Sequence, residues 1–449
     1  MDQTLPQERK TAHKQGLTTA IVVVAPGVFS RAVESPDGVG PLTIVGGLPL
    51  FVRTVLTLQR AGVQEMIVLA GAEEANLKQL VRDDPRVTVA VRWRPVREFP
   101  PDDHRTWEAM AHELSGACLV VGAQMVMSRQ LLEVLGREAA SEQGALTVVC
   151  DGRATEIAVL PPSLMSVSGA IRDEGPPIRA LLGRAQAHGR VTAVETSSQS
   201  SYWCLHVDDA ASAAAAERML FQSLRGQYEG FVDTYFNRGV SAVLSRMFLA
   251  LRFSPNAVTL VATAVGVAAA VAFAKGSYAA GIVGALLFQL AAIVDCCDGE
   301  VARLTFTESP LGEQLDIMTD NVVHMAIFAS IGWGAFVAQG GWQGAASRPW
   351  LPLALAGAAV FANGISLWLV TRAKAIGRRQ GWSQPGQAAR VEFILKNMAS
   401  RDFSVILLFF AAIGKLVWFL WMTAIGANVF WIMLAWTTRP SAVSTGQRA

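Results

Sequence analysis

Hydrophobic and polar positions follow different patterns in the two halves of the chain. Up to about Glu229, short apolar runs alternate with charged segments, whereas after Phe253 the apolar runs lengthen and charges become rare. A helix needs about 20 consecutive apolar residues to cross a bilayer. The pattern therefore predicts a first domain outside the membrane and a second domain within it.

In the first half, β-type runs alternate with helix-type runs. Strands are predicted at TTAIVVVA, QEMIVLAG, VTVAVRW, CLVVGA, ALTVVC and TEIAVL, and helices at PLFVRTVLTLQRAG, EEANLKQLVRDD, HRTWEAMAHELS and RQLLEVLGREAAS. This alternation is typical of a doubly wound, mainly parallel sheet with helices on both faces. We predict an α/β domain over residues 1–207. A helical tether and an amphipathic juxtamembrane helix are predicted over residues 208–252.

The second half, residues 253–449, is predicted to be an all-α domain with six transmembrane helices. Single spans begin at four positions, Ala257, Tyr278, Val322 and Trp350. The apolar block from Ser404 is too long for one helix, so we place a hairpin at Gly414 and Lys415 and count two spans there.

Basic residues predict how these spans are oriented. The segment after the fourth span holds seven of them, Arg372, Lys374, Arg378, Arg379, Arg390, Lys396 and Arg401. Because basic loops stay on the cytosolic side, this segment and the N-terminal domain are placed there. The apolar run near the N-terminus is too short for a signal peptide and lacks a cleavage site. We expect a multi-pass protein of the inner (cell) membrane, with its chemistry on the cytosolic side.

Charge and cysteine content argue against a nucleic-acid-binding protein and against a disulfide-stabilised protein. The formal net charge is +2, too small to indicate a nucleic-acid partner. The five cysteines are an odd number without metal-type spacing, so we expect reduced, mostly buried thiols rather than a disulfide framework.

The candidate chemistry lies in DCCDGEVARLTFTESPLGEQLDIMTD, between the second and third spans. Asp295 and Asp298 are three residues apart and Asp316 and Asp320 four apart, so each pair shares one helix face. If the two helices meet, four carboxylates converge, which is unfavourable unless a cation neutralises them. Hard oxygen ligands suit Mg²⁺ or Mn²⁺. Arg303 then supplies a donor fork for a phosphate.

The alternative is that these groups are solvated charges at two helix ends. That interpretation is adequate for Glu308 and Glu313, which we place on the surface. It is poor for the aspartates, because acidic groups at the ends of spans are costly and usually functional. His324 lies one turn beyond Asp320 and is interpreted as a buried packing residue.

Eight residues of this stretch fit the spacing D-x2-D-G-x2-A-R-x8-G-x3-D-x3-D, namely Asp295, Asp298, Gly299, Ala302, Arg303, Gly312, Asp316 and Asp320. The stretch resembles the motif of the CDP-alcohol phosphotransferase family, and SPNAVT resembles that family's TPN-x-x-T segment. The segment VDTYFNRGVSAVLSR resembles the juxtamembrane helix of the family's inositol-phosphate branch. The resemblance implies a six-helix membrane enzyme, usually a homodimer, with two divalent ions. Such an enzyme displaces CMP from a CDP-activated donor with an alcohol.

The resemblance also implies roles for these residues. The four aspartates would hold the metals, and Asp320 would also act as the base on the acceptor hydroxyl. The CDP group would be accommodated by Gly299, Ala302, Arg303 and Gly312.

The layout of the first half is similar to the sugar-phosphate nucleotidyltransferases, in particular to the cytidylyltransferase half of bifunctional enzymes that make CDP-inositol and join it to a second inositol phosphate. The family's glycine-rich loop, however, reads APGVFSR here, with Pro26 and Phe29 where amides and glycine are expected, although Arg31 is kept. Gly40 replaces the expected lysine, and Gly122 with Ala123 replaces a metal-binding aspartate. We therefore predict a degenerate domain that keeps the fold.

Three functions follow as hypotheses. The first is transfer from a CDP-activated donor (CDP-diacylglycerol or CDP-inositol) to a polyol phosphate such as inositol phosphate, in contact with membrane lipids. For the acceptor phosphate we consider Arg390, Lys396 and Arg401, although attraction to anionic lipids would explain most of this basic segment. The second is a complete bifunctional enzyme that also makes CDP-inositol. The third is a catalytically silent membrane scaffold.

Overall fold

The protein was studied as a computed structural model, which describes residues 17–24, 39–71, 73–141, 144–166, 178, 182–183, 186, 191–224, 238–380 and 403–437. The chain divides into two compact units. The first comprises Met1–Ser223 with Leu304–Phe306, and the second comprises Leu224–Arg303 with Thr307–Ala449. The domain limits predicted at residues 207 and 252 stay predictions.

The first unit is built on a seven-stranded sheet. Its described strands are β1 (Thr19–Val23), β2 (Ile44–Val45), β3 (Leu48–Pro49), β4 (Glu65–Ala70), β5 (Ala90–Pro95), β6 (Cys118–Gly122), β7 (Met125–Met127), β8 (Ala145–Cys150), β9 (Arg153–Leu160), β10 (Val191–Thr196) and β11 (Cys204–His206). The large sheet has the order β10-β8-β9-β6-β1-β4-β5, and only β9 runs antiparallel to its neighbours. The predicted mainly parallel α/β fold is confirmed.

Helices of the first unit cover the sheet. They are α1 (Leu50–Arg60), α2 (Glu74–Asp83), α3 (His104–Glu113), α4 (Arg129–Ser141), α5 (Pro162–Met165) and α6 (Ala210–Ser223). Strand β1 shows why its sequence is continuously apolar. Ala20 and Val22 point into one buried cluster while Ile21 and Val23 point into another, so both faces of the sheet exclude water.

Some strands differ from those predicted. The third predicted strand starts at Ala90 rather than Val87, because the Val87 amide donates to the Asp84 carbonyl in a turn. Strands β2, β3, β7, β10 and β11 were not predicted. Two of them, β7 and β11, are three residues long and pair antiparallel with each other, so the local pattern is too short to reveal them.

The five cysteines are free thiols, and four of them are buried. Burial raises the pKa of the Cys118 thiol to about 12. A buried thiol with a raised pKa is unreactive. The prediction of mostly buried cysteines is confirmed, and their reduced state stays a prediction.

The second unit is helical. Its described helices are α7 (Arg238–Ala250), α8 (Pro255–Ala274), α9 (Tyr278–Thr305), α10 (Pro310–Ala338), α11 (Leu351–Gln380), α12 (Phe403–Ala412) and α13 (Leu416–Thr437), with a short 3₁₀ turn at Gly341–Gln343. Among the described residues, five helices are long and apolar enough to cross a membrane, and α12 shows ten residues. The predicted hairpin is present, since Gly414 adopts a φ of +69° between α12 and α13. Six spans stay a prediction.

Glycine allows the closest approach between helices of the second unit. A Cβ on Gly334 in α10 would overlap the carbonyl oxygen of Phe273 at the end of α8, and one on Gly276 would overlap the Gly334 carbonyl. Gly266 in α8 likewise lies against Val323, at 2.6 Å from where its Cβ would be. Small residues therefore set the distance between α8 and α10, as expected for helices packed in lipid.

Replacing Gly334 by alanine is expected to destabilise the second unit by about 1–3 kcal/mol, because the added methyl group meets backbone that cannot rotate away. Thermal unfolding of the detergent-purified protein measures this. The control is Gly357→Ala in α11, where an added Cβ meets no atom within 4 Å. Equal melting temperatures for the two variants would contradict the proposed close contact.

Candidate active site

The aspartate motif lies on two helices, α9 and α10, which are joined by a short loop. Helix α9 extends to Thr305, and Ser309 then caps α10 by accepting a hydrogen bond from the Gly312 amide at 3.0 Å. Pro310 occupies the first turn, where its missing N–H costs nothing. The spacing of three and four between aspartates therefore becomes a shared face on each helix.

Three of the four aspartates meet. Asp295 on α9 and Asp316 and Asp320 on α10 each offer a carboxylate oxygen, and the three oxygens lie within 4.8 Å of one another. Asp295 is buried and the other two are half-buried. Carboxylates packed this closely repel unless a cation or a proton lies between them. The donor set, three hard oxygens from two rigid helices, fits Mg²⁺ or Mn²⁺.

The carboxylate of Asp298 has a different neighbour. Its Oδ2 accepts a hydrogen bond of 2.5 Å from the hydroxyl of Thr259 on α8. Both side chains are buried. Asp298 lies outside the group of three within 4.8 Å, so its role as a metal ligand stays a prediction.

The CDP-binding residues predicted from the motif surround this group of carboxylates in sequence. Gly299 lies beneath the guanidinium of Arg303, because a Cβ at Gly299 would be 3.0 Å from Nη1 of that arginine. A side chain at position 299 would thus displace the one cation of the motif. Ala302, one turn from Asp298, is half-buried.

Gly312 is equally confined. A Cβ there would lie 3.1 Å from the Ser309 hydroxyl and 3.4 Å from Oδ1 of Asn256 in α8. The glycine therefore lets the start of α10 approach the start of α8. The SPNAVT pattern resembles the family's segment but does not by itself predict a role for any of its side chains. The structure places two of them, Asn256 and Thr259, beside the motif.

The remaining predicted residues divide into three groups. Glu308 and Glu313 are exposed, as expected. His324 is enclosed by the rings of Phe288, Phe328 and Phe403, which confirms its packing role. The candidates for the acceptor phosphate, Arg390, Lys396 and Arg401, lie outside the described residues.

Thr259→Val is expected to raise the Mg²⁺ concentration needed for half-maximal activity by about 10-fold, because it removes the hydroxyl that orients Asp298. The matched control is Thr263→Val, one turn away, whose hydroxyl donates to the Thr259 carbonyl within its own helix. Metal titrations of both purified variants measure the difference. Identical titrations would exclude an orienting role for Thr259.

Comparison with known proteins gives one family match. Residues 252–438 match the CDP-alcohol phosphatidyltransferase family. Curated relatives include a "Bifunctional IPC transferase and DIPP synthase" from Thermococcus kodakarensis, 24% identical over 337 residues that cover 70% of this chain and 75% of the relative. A protein of the same description from Rubrobacter xylanophilus is 27% identical over 364 residues, covering 74% and 80%.

Solved structures are similar to parts of the chain. Phosphatidylinositol phosphate synthase from Mycobacterium tuberculosis is 22% identical and covers 45% of this chain and 98% of its own, with a TM-score of 0.33. The inositol-1-phosphate CTP transferase from T. maritima is 12% identical and covers 45% and 96%, with a TM-score of 0.34.

Proposed function

Residues 252–438 form a CDP-alcohol phosphatidyltransferase domain, and from this premise we propose that the protein transfers a substituted phosphate group from a CDP-activated donor to a polyol phosphate. The enzyme class follows from the family. The choice of inositol phosphate, or a related polyol phosphate, as acceptor is the proposal. The observation that carries the chemistry is the meeting of three carboxylate oxygens within 4.8 Å at the end of two apolar helices.

Members of this family depend on a metal. We propose that Asp295, Asp298, Asp316 and Asp320 hold two Mg²⁺ or Mn²⁺ ions, of which the group of three carboxylates gives the best-supported part. Bound divalent ions neutralise the pyrophosphate and offset the negative charge that develops on departing CMP. Arg303, held over Gly299, adds a cation on the same turn.

The chain's own residues supply the proton transfer and the fit. In the proposed reaction the Asp320 carboxylate accepts the proton of the acceptor hydroxyl, and that oxygen bonds to the donor phosphorus. The phosphorus–oxygen bond to CMP breaks, and CMP leaves with the bonding electron pair. Gly299, Ala302 and Gly312 bear no long side chains, which leaves room for the cytidine diphosphate.

The acceptor is proposed from similarity and charge. The curated relatives are described as IPC transferase and DIPP synthase, and the segment from Arg372 to Arg401 is rich in basic residues that suit a phosphate. CDP-diacylglycerol as donor would give a phospholipid, whereas CDP-inositol would give a soluble phosphodiester. The direct experiment incubates membranes holding the full-length protein with each donor, inositol phosphate and Mg²⁺, and identifies CMP and product by mass spectrometry. No CMP with either donor would refute the proposal.

The first unit is proposed to be a degenerate nucleotidyltransferase-like domain. At the end of β6, where an aspartate is expected, a Cβ on Gly122 would overlap the Glu156 carboxylate and lie 3.2 Å from the Glu156 Cβ. A larger side chain at this position would therefore require the Glu156 side chain to move. The loop APGVFSR lies outside the described residues.

A complete bifunctional enzyme is the competing candidate, favoured by the description of the curated relatives. The two are separated with full-length Asp320→Asn, which blocks the transferase step and leaves the first unit unchanged. Release of pyrophosphate from CTP and inositol phosphate by this variant would establish the bifunctional enzyme. If this variant releases no pyrophosphate while the parent protein releases CMP, the result supports a degenerate first unit.

Orientation and assembly are also proposed. The five long apolar helices among the described residues make this a membrane protein, and the basic residues from Arg372 to Arg401 support placement of the active site in the cytosol. Cysteine accessibility on either side of sealed vesicles tests the orientation. A homodimer is proposed from the family resemblance and is tested by the mass of the detergent-purified protein.

A further inference from the structure

Glu300 is a buried acidic side chain inside the aspartate motif, at a position that the motif leaves open. Only 2% of its surface is exposed. Its carboxyl oxygens accept hydrogen bonds from two serines of α7, at 2.9 Å from the Ser241 hydroxyl and 2.7 Å from the Ser245 hydroxyl. The two serines are themselves fully buried. These contacts join the juxtamembrane helix to the helix that carries the site.

Glu300 lies on the back of α9, away from the carboxylate group. Successive residues of a helix are rotated by about 100°, so Glu300 projects about 140° from Asp295, whereas Asp298 and Gly299 lie within about 60° of it. The back face packs against α7 through an apolar cluster that includes Phe248, Val294 and Val301. The glutamate is thus too far around the helix to join the metal ligands.

An acidic residue at this position is not explained by helix stability. Glu300 lies in the last two turns of α9, where the helix dipole disfavours negative charge. Its surroundings are the apolar cluster, in which a leucine would pack at lower cost than a buried carboxyl group. Two hydroxyl groups that stabilise the buried carboxyl group, those of Ser241 and Ser245, both come from α7. Glu300 therefore provides directional hydrogen bonds between α9 and α7.

Helix α7 is suited to act as an anchor. Ser241, Ser245 and Phe248 follow one face and are buried, while Val243 and Met247 lie on the opposite face and are 61% and 46% exposed. A helix with an apolar outer face and arginines near both ends is typical of one that lies in the membrane interface. The bridge therefore connects α9 to a helix whose outer face is apolar and exposed.

We propose that Glu300 is a positioning residue, which with Ser241 and Ser245 fixes the rotation of the turn from Gly299 to Arg303 so that this turn can bind the cytidine diphosphate. This inference rests on the proposed function and deepens it. The hydrogen bonds to Ser241 and Ser245 act through the backbone of α9, because Glu300 projects about 140° away from Asp295 around the helix axis. Loss of the bridge lets the turn rotate, and the Arg303 guanidinium then leaves its place over Gly299.

The experiment compares full-length Glu300→Leu, the double variant S241A/S245A and Glu300→Gln. Calorimetric titration with CDP in the presence of Mg²⁺ measures binding, and steady-state kinetics give kcat and the KM for the CDP donor. Glu300→Leu and S241A/S245A are expected to weaken CDP binding and raise the donor KM by about 10-fold, with a much smaller change in kcat. Glu300→Gln is expected to recover most of the CDP affinity, because its amide can accept from one hydroxyl and donate to the other.

The control is Ser366→Ala in α11, a buried serine whose hydroxyl donates to the Ala362 carbonyl of its own helix. Should Glu300→Leu fail to fold, the two single serine variants carry the same test. CDP binding equal to that of the parent protein in folded bridge variants would overturn the inference. So would a Glu300→Gln variant that loses kcat as fully as Glu300→Leu, since that would assign the carboxylate to the chemistry. Failure of the proposed function is distinct, because the parent protein itself would then release no CMP.

Discussion

Asp320→Asn is expected to lower the rate of CMP release from the CDP donor by at least about 1,000-fold. A positioned general base contributes about 10²–10⁴ in rate, and the same carboxylate is also a candidate metal ligand. Asparagine keeps the shape of aspartate but neither accepts the proton of the acceptor hydroxyl nor offers an anionic oxygen. Initial rates of CMP release from the purified full-length protein measure the effect.

Two comparisons isolate that effect. Glu313→Gln neutralises an exposed carboxylate on the same helix, three residues before Asp316, and is expected to keep nearly the parent rate. Thermal unfolding of both variants shows whether α10 remains packed. If Asp320→Asn left CMP release and cellular pools of lipid and polyol phosphate unchanged, the protein would be a membrane scaffold rather than an enzyme.

Removing divalent ions with EDTA is expected to abolish CMP release, and adding Mg²⁺ or Mn²⁺ is expected to restore it. Asp295→Asn should raise the ion concentration needed for half-maximal rate by at least about 100-fold, more than the loss of an orienting partner such as Thr259. The physical reason is that Asp295 is the contribution of α9 to the group of three carboxylates. Without it, the remaining two oxygens come from α10 alone.

A direct binding measurement accompanies this prediction. Mn²⁺ bound to the purified protein can be counted by its electron paramagnetic resonance signal, which does not depend on turnover. Glu308→Gln, an exposed change in the loop between α9 and α10, serves as the control. Unchanged Mn²⁺ binding in Asp295→Asn would remove this aspartate from the site and leave the meeting of the three oxygens without a role.

Much of the fold was predictable because the apolar patterns that indicate its helices and strands lie within short stretches of sequence. The four helices predicted in the first half correspond to α1 to α4 and were placed to within a few residues, since each has an apolar face repeating at helical spacing, whereas α5 was not predicted. The strand from Ala90 was displaced because a turn that depends on Asp84 precedes it. The strand from Val191 was missed, and it pairs with the strand that begins at Ala145. Such strands depend on partners distant in sequence, which a local window cannot contain.

Some features of the candidate site were likewise predictable from the sequence, and others depend on the tertiary structure. Spacing within one helix put Asp295 and Asp298, and separately Asp316 and Asp320, on shared faces, because a helix converts sequence distance into direction. The sequence also supplied the motif and the long apolar helices. Only the tertiary structure decided which oxygens meet, that Thr259 holds Asp298, and that Glu300 turns away towards α7. Those outcomes depend on how two helices are rotated against each other, and that rotation results from the packing of all their side chains together.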